Sequence, residues 1–151
     1  MWTAPAVSEG RVLAAPPSRR TGGLRSLLVT GVLATLAAMA ATTLAAALAG
    51  AAGVDFEVPE GGEAIPLPGF ATMTGLFSLV GVVIAAGLQR WSARPAARFV
   101  RTTLSLTAIS LVPPLVSGAG SATVTALVAL HLVAAGVVVP ALSRSLRAHD
   151  R

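Results

Sequence analysis

The chain has no cysteine among its 151 residues. Disulfides, thiolate metal sites, lipoprotein anchoring and thiol redox chemistry are therefore excluded. Charge is also scarce, since Asp, Glu, Lys and Arg make up 11% of the chain, against about 25% in an ordinary soluble domain. Hydrophobic residues make up 54%, so too little polar surface remains to solvate a globule. The composition indicates a membrane protein.

Long apolar runs fill most of the chain. They predict membrane spans at about 27–49, 70–88, 99–117 and 122–142, because a helix of roughly 20 apolar residues crosses the hydrocarbon core. Arg101, near the start of the third run, is assigned to the membrane interface. The predicted fold is all-α, an integral membrane four-helix bundle over residues 24–143. Residues 1–23, rich in proline and small residues, are expected to form a disordered tail.

The two signs of charge are kept apart along the sequence. The connection over residues 50–69 holds four of the six acidic residues and no basic one, and all basic residues are arginines. Basic segments stay in the cytoplasm during insertion. Both termini, including the basic tail 144–151, are therefore predicted to be cytoplasmic and the loop 50–69 extracellular, in a multi-pass cell-membrane protein. The arginines lie before span one, between spans two and three, and after span four: Arg11, Arg19, Arg20, Arg25, Arg90, Arg94, Arg98, Arg101, Arg144, Arg147 and Arg151.

A cleaved signal peptide is the alternative for the first span. Arg19 and Arg20 precede it, and Ala47–Ala49 supplies a pattern that fits a signal peptidase site. A signal peptide has an apolar region of about 7–15 residues, which is shorter than this run. The first span is therefore expected to remain in the protein.

His131 is the one ionisable side chain inside a predicted span. It lies about 15 Å below the outer end of its helix, near the middle of the membrane, and Thr43, Ser78 and Ser110 fall at similar depths. Pro113 and Pro114 lack N–H groups and should kink the third span, freeing carbonyls near Ser110. His131 and Ser110 are therefore the predicted intramembrane polar site, and the imidazole is expected to pack against this kink. A polar contact between helices and a proton relay or substrate site remain alternatives.

The loop between spans two and three is basic. Arg94, Arg98 and Arg101 share one helical face and are predicted to contact anionic lipid headgroups. Ordinary positive-inside anchoring is the simpler interpretation. Binding to nucleic acid is not expected, since the arginines flank membrane spans without an aromatic-basic platform. Small residues at Ala34, Ala38, Ala41 and Ala45, and at Gly81 and Ala85, are typical of close helix packing, inside the bundle or in a homo-oligomer.

No enzymatic chemistry is predicted. An acid to orient His131 and a G-x-S-x-G elbow are both missing from the sequence, so no catalytic residue and no cofactor are assigned. The acidic loop alternates apolar and acidic residues from Val54 to Val58, which favours a short extended hairpin. Its carboxylates could ligate a divalent cation, but they lack EF-hand spacing, and no metal site is assigned.

Three stretches carry a family resemblance: SLVPPL at 110–115, ALHLVAAGVVVPAL at 129–142 and FEVPEGGE at 56–63. They resemble an uncharacterised four-pass membrane family of high-GC Gram-positive bacteria, known as a domain of unknown function, over about residues 24–143. The resemblance implies four helices and a plasma-membrane location, with no activity or site residues. The expected function is a non-enzymatic scaffold or partner subunit, bound to a second copy or another membrane protein. The alternative is a small transporter or permease component with His131 and Ser110 lining the path.

Overall fold

The computed structural model describes residues 19–57 and 63–149. The helices in chain order are α1 (Arg19–Ala51), α2 (Leu67–Trp91), α3 (Pro95–Ser110), α4 (Val112–Val116) and α5 (Ser121–His149). The short helix α4 continues α3, so the two together form one crossing, Pro95–Val116. Four helices in the described part are thus long and apolar enough to cross a membrane. The predicted all-α class and the four-helix architecture are confirmed.

The four crossings form a square, up-and-down bundle. Helix α1 packs along α2 and α5, and α3 packs against the same two helices from the other side. Within the described ranges α1 and α3 do not touch, so they occupy a diagonal. Consecutive crossings therefore alternate in direction. One end, the "loop end", holds the connections 52–66 and 117–120. The other, the "arginine end", holds Arg25, Arg90, Arg94, Arg98, Arg101, Arg144 and Arg147.

At the arginine end, the helices run beyond the predicted spans. Residues 19–23, predicted as part of a disordered tail, begin α1, and residues 144–149, predicted as a tail, complete α5. Leu146 is fully buried and Leu24 packs against the same cluster. Burial of these leucines favours continuing both helices, because most helical stability comes from packing an apolar face. The rest of the predicted N-terminal tail, residues 1–18, lies outside the described residues.

The third crossing is interrupted where the prolines predict a kink. Helix α3 ends at Ser110 and α4 begins at Val112, with Leu111 between them. Pro113 and Pro114 cannot donate to the carbonyls of Ile109 and Ser110, so the regular ladder fails at this point. Pro140, by contrast, lies inside the continuous helix α5.

Two buried clusters hold the bundle, one towards each end. The arginine-end cluster centres on Leu27, Phe99, Leu142 and Leu146, all fully buried. The loop-end cluster consists of Ala46, Phe56, Phe70 and Leu130. Outward-facing side chains between the ends are also large and apolar; Phe77, for instance, is 68% exposed. An apolar outer surface on an apolar bundle is typical of helices surrounded by lipid.

Small residues bring α1 and α2 close together. A Cβ atom at Gly31 would lie 2.7 Å from Val82 Cγ2, and one at Gly75 would lie 3.0 Å from Met39 Sδ. Ala34, Ala38 and Ala85, from the stripes noted in the sequence, are buried within the bundle. These members of the stripes therefore serve contacts between helices of one chain.

Gly31→Ala tests this close approach. The new methyl group would overlap both Val82 γ-carbons, and a β-branched side chain has little rotamer freedom to move away. We expect the free energy of unfolding to fall by about 1–3 kcal/mol, the usual cost of overpacking. The measurement is thermal or denaturant unfolding of the purified chain in detergent.

Gly136→Ala is the matched control, because a Cβ atom at Gly136 meets nothing within 4 Å. Its higher helix propensity should leave stability unchanged or raise it by up to about 1 kcal/mol. Equal destabilisation by the two substitutions would contradict the packing of α1 on α2 described above.

Candidate functional site

His131, the predicted intramembrane polar residue, bonds within its own helix. Its Nδ1 lies 2.8 Å from the carbonyl oxygen of Leu127, one turn earlier in α5. A carbonyl can only accept, so Nδ1 carries the proton, and in a neutral ring Nε2 is left as an acceptor. A neutral ring in this tautomer cannot donate a second hydrogen bond to the carbonyls at the α3–α4 break. The structure therefore shows a bond from His131 to Leu127 in place of the expected bond to the Ile109–Ser110 region.

Ser110, its predicted partner, also bonds locally. The Ser110 hydroxyl donates to the carbonyl oxygen of Thr107 at 2.8 Å. That carbonyl also accepts the Leu111 N–H at 3.2 Å. The last turn of α3 is therefore hydrogen-bonded up to the residue where the break begins. Ile109 is 65% exposed and faces away from the bundle. The geometry favours two locally satisfied side chains over a shared polar site.

The interhelical polar contact lies elsewhere, between α1 and α2. Thr42 is fully buried, and its Oγ1 lies 3.0 Å from Thr74 Oγ1 while also donating to the Ala38 carbonyl at 2.9 Å. The sequence placed the neighbouring Thr43 at a depth similar to that of His131 and predicted no polar contact between α1 and α2. A shift of one residue rotates the side chain by about 100° around a helix, and depth alone does not reveal this rotation.

Thr43 lies in a surface groove between α1 and α2. This "α1–α2 groove" is a shallow depression, wide open at the surface, and is lined by Met39, Ala40, Thr43, Leu44, Ala47 and Ala71. The Thr43 hydroxyl is buried and has no hydrogen-bond partner within the described residues. The carbonyl of Met39, its usual partner one turn earlier, already accepts from Thr42 at 3.2 Å. The groove thus combines small apolar residues with one unpaired donor.

At the loop end, Phe56 folds back onto the bundle. It is 4% exposed, and its ring packs edge-on against Phe70 with centroids 4.9 Å apart. Its φ of 55° costs roughly 1–2 kcal/mol in the left-handed region. Burying a phenylalanine side chain offsets this with roughly 1.5–3 kcal/mol. Glu57 then pairs with Ala64 in one isolated antiparallel bridge, and residues 54–56 form no strand. The described part of the loop therefore shows a single bridge in place of the predicted extended hairpin.

Asp55 joins the same loop to the start of α5. The Thr123 hydroxyl donates to Asp55 Oδ1 at 2.8 Å, and the Glu57 N–H donates to the same oxygen at 3.2 Å. Thr123 is the third residue of α5, so the carboxylate also faces the positive end of that helix. The Thr123 hydrogen bond is the main cause that lowers the pKa of Asp55, with the Glu57 N–H second, while desolvation opposes both.

The lowered pKa predicts an acid-dependent loss of stability. The bonds to Asp55 favour its ionised form, so their contribution is fully present above the ordinary pKa of 3.8. It is lost as pH falls through the lower pKa of the folded protein. Asp55→Asn should be less stable than the unmodified chain at neutral pH, and this difference should shrink below pH 3.8. Thermal unfolding in detergent across this range measures it.

Glu57→Gln is the control, since it removes an exposed carboxylate from the same loop while leaving the Thr123 contact in place. At neutral pH, Glu57→Gln should reduce thermal stability less than Asp55→Asn does. Equal effects of both substitutions would show that loop charge, not the bond to Thr123, governs the acid dependence.

The remaining charged groups lie at the two ends of the bundle. Arg94, Arg98 and Arg101 are exposed and line one groove at the arginine end. At the loop end, Asp55, Glu57 and Glu63 do not converge, and in residues 19–57 and 63–149 no group of three metal-ligating side chains comes together. Glu60, the fourth acidic residue of the loop, is outside these ranges.

A comparison with protein-family models gives one assignment. The model described as "Family of unknown function (DUF6069)" matches residues 22–148. That match covers all four crossings. No curated protein and no solved structure matches the chain.

Proposed function

The chain belongs to the DUF6069 family of unknown function, and from its own structure we propose that it is a non-enzymatic, multi-pass plasma-membrane protein that serves as a scaffold or partner subunit. Its α1–α2 groove receives a transmembrane helix of another subunit. Both termini face the cytoplasm. The arginine-rich, lysine-free composition and the resemblance given above support a high-GC Gram-positive source.

The exposed surface supports the membrane location. Phe77, Val83 and Val116 are each more than two-thirds exposed, which would be unfavourable in water over four neighbouring helices. The arginines at one end and the acidic loop at the other support a single orientation, with the arginine end in the cytoplasm. The packing of α1 against α2 and α5 supports retaining α1 in place of cleavage after Ala49.

The α1–α2 groove is the observation that carries the partner role. In lipid, an unpaired hydroxyl has no water to bond with. Helices associate in membranes through small residues that allow close approach and through polar side chains that bond across the interface. Ala40 and Ala47 supply the first feature along one face of α1. The Thr43 hydroxyl is covered in the single chain, so it bonds to a carbonyl of the partner helix only after its side chain rotates outward.

The transporter alternative has less support. A transport path would need polar groups facing a shared interior space. His131 bonds to Leu127 and Ser110 to Thr107, and neither lines the α1–α2 groove or the groove at the arginine end.

Filling the α1–α2 groove tests the proposal. We expect Ala40→Leu to occupy the space of the incoming helix and release the partner, because Ala40 is exposed and lines the groove. The full-length chain is extracted from native membranes in polymer-bounded bilayer discs, without detergent. Native electrophoresis should show a complex larger than one chain, which Ala40→Leu reduces to the single chain.

Ala37→Leu is the matched control, because Ala37 is exposed on the same helix but does not line the groove. It should leave the complex intact. A monomeric unmodified chain, or equal loss with both substitutions, would contradict the proposal. The transporter alternative would gain if reconstituted protein dissipated a proton gradient and His131→Leu stopped the flux without altering the complex.

A further inference from the structure

A second groove lies at the arginine end, where α2 ends and α3 begins. This "arginine groove" has a volume of about 440 Å³. Its apolar side is formed by Leu88, Ala93 and Ala97, and its polar side by Arg94, Arg98, Arg101 and Thr102. The groove therefore offers a short apolar wall beside a concentration of positive charge.

Local structure places Arg94, just before α3, and Arg98 and Arg101 within it on one side of the helix. The Arg94 N–H bonds to Ser92 Oγ at 3.2 Å, which shapes the turn after α2. Helical spacing then places Arg98 and Arg101 on the face of Arg94. Phe99 is fully buried in the arginine-end cluster, and it anchors the opposite side of the helix. The three arginines consequently lie on the side of the helix that faces away from the core.

Among the described residues, no acidic side chain lies beside these arginines. The described carboxylates, Asp55, Glu57 and Glu63, all belong to the loop end, and residues 64–149 include no Asp or Glu. Three guanidinium groups in one groove repel each other unless an anion lies between them. The planar, five-donor guanidinium matches the oxygens of a phosphate better than a point charge does. The groove is thus suited to a phosphate-bearing anion.

We propose that the arginine groove binds the headgroup phosphate of an anionic phospholipid. The apolar wall distinguishes this ligand from free phosphate, since Leu88 gives the start of an acyl chain a surface to lie on. Trp91 is 80% exposed beside it, and tryptophan prefers the headgroup level of a membrane. The groove opens at that level when the arginine end faces the cytoplasm. This site is independent of the α1–α2 groove and of any protein partner.

Paired substitutions separate a built site from general attraction to an anionic surface. Arg98→Gln combined with Arg101→Gln removes two groove arginines, both exposed. Arg90→Gln combined with Arg144→Gln removes two exposed arginines from the same end that do not line the groove. The full-length proteins are released from nanodiscs of phosphatidylglycerol and phosphatidylcholine, and the retained lipids are identified by native mass spectrometry.

The unmodified chain should retain phosphatidylglycerol in preference to phosphatidylcholine. The groove variant should lose most of this preference, because it lacks two of the three guanidinium groups that would bind the phosphate. The control pair should keep the preference. Equal loss of phosphatidylglycerol from the two variants would mean that surface charge in general attracts the lipid, which would overturn the proposal.

A second experiment tests whether the groove binds a soluble phosphate instead of a lipid. Inorganic phosphate and glycerol phosphate are titrated against the lipid-bound protein, and neither should displace phosphatidylglycerol. Displacement by either compound, or binding of inorganic phosphate without lipid retention, would assign the groove to a soluble anion instead. Thermal unfolding midpoints of all variants, expected to be equal without added lipid, verify that the fold is intact.

Discussion

A guanidinium group cannot lose its charge, and moving it into hydrocarbon is costly. That one constraint decides which segments of the chain can lie in a membrane and which must stay at its surfaces. Every arginine in the described residues lies at the same end of the bundle, and the stretches between them are long enough to reach the other end and return. The alternation of the crossings and the position of the described acidic residues at the opposite end agree with this sorting.

Inside the bundle, several polar side chains bond over short distances, whereas the buried hydroxyls of Thr35 and Thr43 have no partner among the described residues. Thr42, Thr103, Ser110 and His131 each bond to a carbonyl three or four residues earlier in the same helix. This arrangement lets a polar side chain exist in an apolar interior without building a shared cavity. Some side-chain bonds of the described residues reach further: Thr42 to Thr74 joins two helices, and Asp55 to Thr123 ties a loop to a helix start. Together with the close approach at Gly31, they specify how these helices meet.

Sequence patterns predicted the architecture because length, apolarity and charge are properties of whole segments. The helices, the break near Pro113 and the direction of the crossings are visible in that way. Single contacts were harder to predict. Depth placed Thr43 near the level of His131 but did not reveal the contact of its neighbour Thr42 with Thr74, because a helix turns by about 100° over one residue. The imidazole of His131 bonds to the Leu127 carbonyl of its own helix. Every helix offers a carbonyl one turn earlier, so this local acceptor competes with the predicted partner on the neighbouring crossing.

The loop end shows a different limit. Alternation from Val54 to Val58 predicted a short hairpin, whereas the described residues show only the isolated bridge between Glu57 and Ala64. The left-handed backbone of Phe56 was not predictable, because a bulky residue disfavours that conformation and only tertiary burial offsets the cost. Asp55 was treated as one of several solvated carboxylates. Its role depends on Thr123, which lies 68 residues away in the sequence.

The absence of cysteine makes the central claim directly measurable, since any introduced thiol is unique. Glu63 and Ala93 are both exposed, one at the loop end and one at the arginine end. Glu63→Cys and Ala93→Cys are each treated in intact cells with a membrane-impermeant maleimide. The sorting of arginine predicts labelling at position 63 in intact cells and at position 93 only after permeabilisation. Labelling at position 93 in intact cells, with position 63 protected, would contradict it.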